Sequence, residues 1–197
     1  MTPAGDIARE SITLGLLAGG RGMRLGGCDK AWIVRDGLSQ VERLARRFAA
    51  DASEVIVSAN RDAARFEASG FRVVEDRVRD RGPIGGLDAL AHACATPWLL
   101  TAPVDLVSVN DCLLPTLASA GGQGASVEDD DGPQPLVALW RVDALRAALD
   151  SRLPGNDDGS VQALQDALGM PRIRLRGVRF GNLNTPDDLI AAGARLP

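Results

Sequence analysis

Short apolar runs recur along the chain, each closed by glycine, proline or a cluster of polar residues. The first, Ile12 to Ala18, ends at Gly19-Gly20, and its unbroken apolarity predicts a strand covered on both faces. A helical spacing follows, in which Val41, Leu44, Ala45 and Phe48 fall on one side. Glu54 to Ser58 predicts a second buried strand, Asp62 to Ala68 an alanine-rich helix, and Phe71 to Glu75 a third strand. Pro83 opens a helix that runs through Cys94, Pro97 to Thr101 reads as a fourth strand, and Val109 to Ala120 as another helix. Strands alternating with helices at this spacing predict an α/β fold, a sheet of parallel strands with helices on both faces.

The rhythm changes after Gly121. Ala125 to Glu128 and Leu136 to Trp140 flank Asp129-Asp130-Asp131-Gly132-Pro133, a connection that predicts a hairpin and so an antiparallel element. Helices over Val142 to Asp150 and Ser160 to Leu168 follow, then a strand at Ile173 to Leu175 and a closing helix after Pro186. Gly155 to Gly159 is the most polar loop and the expected mobile one. No repeat or long linker interrupts the pattern. The expected organisation is a short N-terminal extension over residues 1–11 and one domain over 12–197, built on a mixed, mainly parallel sheet.

Composition narrows the classes. With 197 residues, 45% hydrophobic and 24% charged, the chain suits one globular domain. No apolar run reaches the roughly 20 residues that span a bilayer, and the start, with Asp6, Arg9 and Glu10, lacks the pattern of a secretory signal. The net charge of −4 does not suggest a nucleic-acid-binding surface. Cys28, Cys94 and Cys112 form no CxxC pair, which fits a reducing cytoplasm. Of 22 basic residues 21 are arginine, and Lys30 is the one lysine. A lysine retained against that bias suggests a place where a compact ammonium serves and a planar fork does not.

Lys30 closes the run LAGGRGMRLGGCDK, Leu17 to Lys30, which starts where the first strand ends. Open α/β sheets bind ligands in that crevice. Gly19, Gly20, Gly22, Gly26 and Gly27 would let backbone N–H groups approach an anion, while Arg24 and Lys30 add charge. The run is not a Walker A loop, because Gly-Lys-Ser/Thr is absent, and no glycine at 25 completes GxGxxG. Asp105 follows the fourth strand, where a carboxylate would face the same crevice and suit a hard cation; a helix N-cap is the alternative reading of its spacing. Asn182 and Asn184, two apart, would share one face of an extended segment.

Several features together resemble the molybdenum cofactor guanylyltransferase family. They are the glycine run, Val57-Ser58-Ala59-Asn60-Arg61, Glu75-Asp76, Gly82-Pro83-Ile84-Gly85-Gly86, Pro103-Val104-Asp105 and Asn182-Leu183-Asn184-Thr185-Pro186. The likeness covers nearly the whole chain in order. It implies a Rossmann-like nucleotidyltransferase fold and transfer of GMP from GTP to molybdopterin, with or without molybdenum, releasing pyrophosphate. It also implies a catalytic set of Lys30, Asp105 and Arg24, and GTP contacts from Leu17, Ala18, Gly19, Gly20, Lys30, Ser58, Asp76 and Asp105. Asn182 and Asn184 would contact the pterin, and Asp105 would hold Mg²⁺. The implied protein is a cytoplasmic monomer that makes transient contacts with proteins handling the molybdenum cofactor and touches neither nucleic acid nor membrane.

Three positions depart from the family pattern. Ser58 stands where asparagine is usual, Val107 where a second proline follows the aspartate, and Asp36-Gly37-Leu38-Ser39 replaces a Gly-Lys-Pro turn. The alternatives left open are the cytidylyltransferase sister family, a sugar-phosphate nucleotidyltransferase, and a nucleotide-binding relative without catalysis. His92, on an alanine-rich helix, reads as packed or solvated, and Asp129 to Asp131 as a solvated turn. No Ser/His/Asp nucleophilic arrangement is evident.

Overall fold

The computed structural model describes residues 7–19, 25–151 and 160–197. In chain order its elements are β1 (Ile12–Leu17), β2 (Val34–Arg35), β3 (Leu38–Ser39), α1 (Gln40–Arg47), β4 (Glu54–Ser58), α2 (Ala63–Ala68), β5 (Arg72–Val74) and α3 (Pro83–Ala93). They continue with β6 (Trp98–Pro103), α4 (Leu113–Ser119), β7 (Gly124–Asp129), β8 (Gly132–Arg141), α5 (Val142–Asp150), α6 (Val161–Ala167), β9 (Arg172–Arg174), α7 (Pro186–Ala191) and β10 (Ala194–Arg195).

Seven strands form one sheet in the order β5-β4-β1-β6-β8-β7-β9. The pairs β4–β5, β1–β4, β1–β6 and β7–β9 are parallel, whereas β8 is antiparallel to both β6 and β7. β8 alone therefore runs against the rest, and the sheet is mixed and mainly parallel. β1 is buried at all six positions because helices cover both of its faces. Ile12, Leu14 and Leu16 point into one apolar cluster with Val41 and Phe48 of the α1 region, Phe66 of α2 and Leu117 of α4. The opposite cluster joins Leu17 and Ile56 to Ile84, Leu87 and Leu90 of α3, Leu145 of α5 and Leu164 of α6. Gly15 lets α3 sit close to the sheet, since a Cβ there would lie 2.9 Å from Leu90 Cδ1.

Three differences from the sequence pattern have local causes. The helix expected from Val109 starts at Leu113, because the Asn110 carboxamide accepts from the Cys112 amide and turns the chain first. β8 begins at Gly132 rather than Leu136, around a two-residue turn at Asp130-Asp131. Its pairing with β7 jumps from Ala138 to Gln134 between Ser126 and Val127. That bulge leaves Pro135, Leu136 and Val137 out of the ladder, and the buried Gln165 amide donates to the freed Pro135 carbonyl at 2.8 Å. Finally, β10, β2 and β3 form a small second sheet with no counterpart in the apolar pattern. Its hairpin turns at Asp36 (φ 52°) and Gly37 (φ 79°), two successive left-handed residues that suit a tight connection.

No helix among the described residues is long and apolar enough to cross a membrane. The polar stretch Gly155 to Gly159 lies outside the described residues.

Candidate active site

The chain leaves β1 toward β4 and β5 on one side, then returns to place β6 on the other. The carboxyl ends of β1 and β6 therefore part at a switch in winding direction, where a crevice is expected. A cleft of about 950 Å³ opens there. Leu17, Ala18, Gly19, Lys30, Ser58, Asp76, Asp105, Asn182 and Asn184, all singled out from sequence, line it. Gly20 and Arg24 lie outside the described residues.

At one end, Lys30 is presented by a 3-10 turn, Lys30–Trp32, whose N-cap Asp29 accepts from the Ala31 amide at 2.9 Å. Burial pushes the Asp29 carboxyl above the usual range, partly offset by that hydrogen bond. Trp32 pins the turn from beneath: its ring lies 4.6 Å from that of Phe66, with the Arg65 guanidinium 4.0 Å from its centre. Lys30 Nζ donates to Asp105 Oδ2 at 2.8 Å and to Asn184 Oδ1. With its amide nitrogen turned inward, Asn182 also donates to Asp105 Oδ1, at 3.3 Å. The Asn182–Asn184 segment is held against the strand exit by the Leu106–Asn182 bridge and by the Leu183 amide, which donates to the Asp105 carbonyl at 2.9 Å.

Asn184 is fixed in turn by the start of α7. Thr185 and Asp188 form a capping box, and Asp188 Oδ2 accepts from the Asn184 amide at 2.9 Å and the Thr185 amide at 2.8 Å. These bonds, the Asn184 amide first, hold the Asp188 carboxyl below the ordinary carboxylate range.

At the other end, Asp76 follows β5 and is gripped twice by Asn60. The Asn60 carboxamide oxygen accepts from the Asp76 amide at 2.9 Å, and its nitrogen donates to Asp76 Oδ2 at 2.8 Å. Sequence reading gave Asn60 no role; its spacing of two from Ser58 on an extended run was the available signal. The floor is the N-terminal part of α3. Gly82 enters it with φ 57° and ψ −144°, a conformation essentially open only to glycine. A Cβ on Gly85 would lie 2.8 Å from Asp76 Oδ2, and one on Gly86 would lie 2.8 Å from both Ser58 Oγ and Leu17 Cδ2. These glycines therefore bring the helix backbone up to the cleft wall. Gln134 and the bulged Pro135 and Leu136, which had no role in the sequence reading, complete the far wall.

Two clusters outside the cleft separate composition from position. Asp129 is buried, at 1% exposure, rather than solvated as the aspartate run suggests. Its carboxylate accepts from the amides of Asp131 and Phe180 and from Gln134, while Asp130 receives the Gly177 amide and Asp131 pairs with Arg179. The three aspartates anchor a returning segment whose position the sequence does not display. His92 joins Asp88 and Asp150 in a group whose potential ligand atoms lie within 4.8 Å of one another. Arg77 already lies across it, 3.3 Å from Asp88 and 3.8 Å from Asp150, and none of the three acids and bases lines the cleft. Inside the cleft, the Asp105 carboxylate, with Asn184 Oδ1 beside it across the Lys30 ammonium, offers oxygen donors that fit a hard divalent cation.

Comparison with known proteins gives concordant results. The model of the MobA-like NTP transferase domain matches residues 15–169. A molybdenum cofactor guanylyltransferase from Cupriavidus taiwanensis is 34% identical over 199 residues, covering 96% of this chain and all of its own. Molybdopterin-guanine dinucleotide biosynthesis protein A from Archaeoglobus fulgidus superposes with a TM-score of 0.68 at 20% identity, over 91% of this chain and 96% of its own. The 2-C-methyl-D-erythritol 4-phosphate cytidylyltransferase from Thermus thermophilus does so with 0.67 at 18%, over 90% and 95%. At these identities the two structures share the fold.

Proposed function

Because the chain belongs to the family of MobA-like NTP transferase domains and is a nucleotidyltransferase, we propose that it transfers GMP from GTP to molybdopterin. A terminal phosphate oxygen of the acceptor attacks the α-phosphorus of GTP in line. The new P–O bond forms as the bond to the β-phosphate oxygen breaks, and that electron pair leaves with pyrophosphate. The attacking group is already an oxyanion, so no base is required and no covalent enzyme intermediate forms.

The observation that carries this reading is the placement of opposite chemistries at the two ends of one cleft. Lys30, Asp105 and Asn184 meet at one end, and the Asn60-gripped carboxylate of Asp76 faces the other. The Asp76 carboxylate suits the N1–H and N2–H donors of guanine, a pair that cytosine does not present. Ser58, Leu17 and Gly86 give the base a close-packed floor. Lys30 would hold phosphate oxygens and stabilise the charge growing on pyrophosphate, together with Arg24 and the backbone of Ala18, Gly19 and Gly20. Asn182 and Asn184 would offer carboxamides to the mixed donors and acceptors of the pterin. Asp105 would hold Mg²⁺, which when bound supplies positive charge to the phosphate oxygens. We take the protein to act as a monomer in the cytoplasm, in keeping with its free cysteines.

Calorimetric titration with GTP and with CTP, each with and without Mg²⁺, tests the assignment. Magnesium-dependent preference for GTP, followed by pyrophosphate release when molybdopterin is added, is the expected result. Preference for CTP moves the protein to the cytidylyl branch, and binding of neither nucleotide overturns the proposal.

A further inference from the structure

The two groups assigned opposite tasks in the cleft occupy each other. Lys30 Nζ sits 2.8 Å from Asp105 Oδ2, and both side chains are about four-fifths shielded from solvent, at 21% and 20% exposure. A second ammonium proton goes to Asn184 Oδ1, and the other Asp105 oxygen faces Asn182. The cation that would bind phosphate, the carboxylate that would bind metal and an amide assigned to the acceptor thus form one closed set of partners.

We infer that Lys30 is an internal counter-ion, displaced only when nucleotide and divalent cation arrive together, and that its displacement opens Asn184 to the acceptor. This rests on the guanylyltransferase reading and adds an order of binding to it. A divalent cation arriving alone meets an Asp105 whose charge Lys30 already neutralises. Metal-free nucleotide meets a lysine already paired and a carboxylate that repels its phosphates. When both arrive, one internal pair is exchanged for two, Lys30 to phosphate and Asp105 to metal, so each ligand strengthens binding of the other. Asn184 Oδ1 loses its donor in the same exchange, so nucleotide precedes acceptor.

The test reads binding rather than turnover. Free Mn²⁺ is followed by electron paramagnetic resonance, without nucleotide, in the wild-type protein and in Lys30→Met. Both are examined with His92→Ala added, which removes the imidazole of the outer cluster as a competing ligand. Lys30→Met is expected to bind Mn²⁺ about fivefold or more tightly than its parent, the lower range of ordinary coupling energies, whereas Lys30→Arg, which keeps the charge, is expected to gain less. In parallel, Asp105→Asn is expected to bind GTP in EDTA more tightly than wild type, because Lys30 is released and the repulsion removed. If Lys30→Met fails to fold, this arm decides alone. Unchanged Mn²⁺ affinity in a folded Lys30→Met, or unchanged metal-free GTP affinity in Asp105→Asn, overturns the exchange. Failure of the wild-type protein to bind GTP even with Mn²⁺ instead overturns the functional reading on which it rests.

Discussion

The two ends of the cleft are built on different principles. At the Lys30 end, charged and polar groups from three distant parts of the chain meet through hydrogen bonds that a ligand can replace. At the Asp76 end, shape dominates: Gly85 and Gly86 bring α3 so close that an added methyl group would overlap Asp76, Ser58 or Leu17, and Asn60 fixes the carboxylate from the side. One end is electrostatically exchangeable and the other sterically set. In the proposed reaction, chemistry that develops charge is assigned to the first, and discrimination between bases to the second.

Single substitutions should therefore fail in different ways at the two ends. Lys30→Ala removes the cation from the exchangeable end, and turnover should fall about 10²- to 10³-fold, the usual cost of losing one preorganised charge-stabilising donor. Stability should change by no more than about 1 kcal/mol, because the pair it breaks remains partly exposed. Steady-state kinetics and thermal melting, run side by side, check this. Equal losses in both would make Lys30 a structural residue.

Gly86→Ala probes the other end. Its Cβ must displace Ser58 Oγ and Leu17 Cδ2, both of which line the cleft. Overpacking costs about 1–3 kcal/mol, against which alanine gains about 1 kcal/mol in helix propensity. The net loss of stability should be small, while nucleotide affinity falls about tenfold as the floor shifts. Titration with GTP reads the effect. Unchanged affinity with a lowered melting point would mean that the base does not rest on this wall.

How far the sequence foretold this depends on the physical origin of each feature. β1 and its parallel neighbours were legible because burial on both faces leaves a continuous apolar run. The small sheet was not, since strands of two residues carry no periodicity, although Asp36-Gly37 marked its turn. Lys30 stood out against an arginine-rich composition, and Asp105 and Asn184 each by local context. Their meeting could not be read directly, because Lys30 is 75 residues from one and 154 from the other. The same blindness misread Asp129: an aspartate run is solvated by default, unless a segment about fifty residues later supplies buried amide donors.

The smallest expected effect tests whether the exchangeable end also needs rigid support. Asp188 does not line the cleft, yet it holds the backbone amides of the cleft residue Asn184 and of its neighbour Thr185. Asp188→Ala should cost about 1 kcal/mol, the ordinary value of a helix cap. The dependence on pH is more diagnostic than the size. The folded-state carboxyl titrates below its ordinary value, so its stabilisation is complete above that value, about 3.9 in an unfolded chain. It is lost as pH falls through the lower folded-state value. Urea denaturation of wild type and variant from pH 7 downward should therefore give a constant gap that closes only in strong acid. A gap that closes near neutrality would assign the effect to another group. If the gap behaves as expected but acceptor-dependent turnover at pH 7 is unaltered, Lys30 rather than the cap is what holds Asn184 in place. A fall in that turnover would show that an exchangeable contact works only on a backbone that does not move.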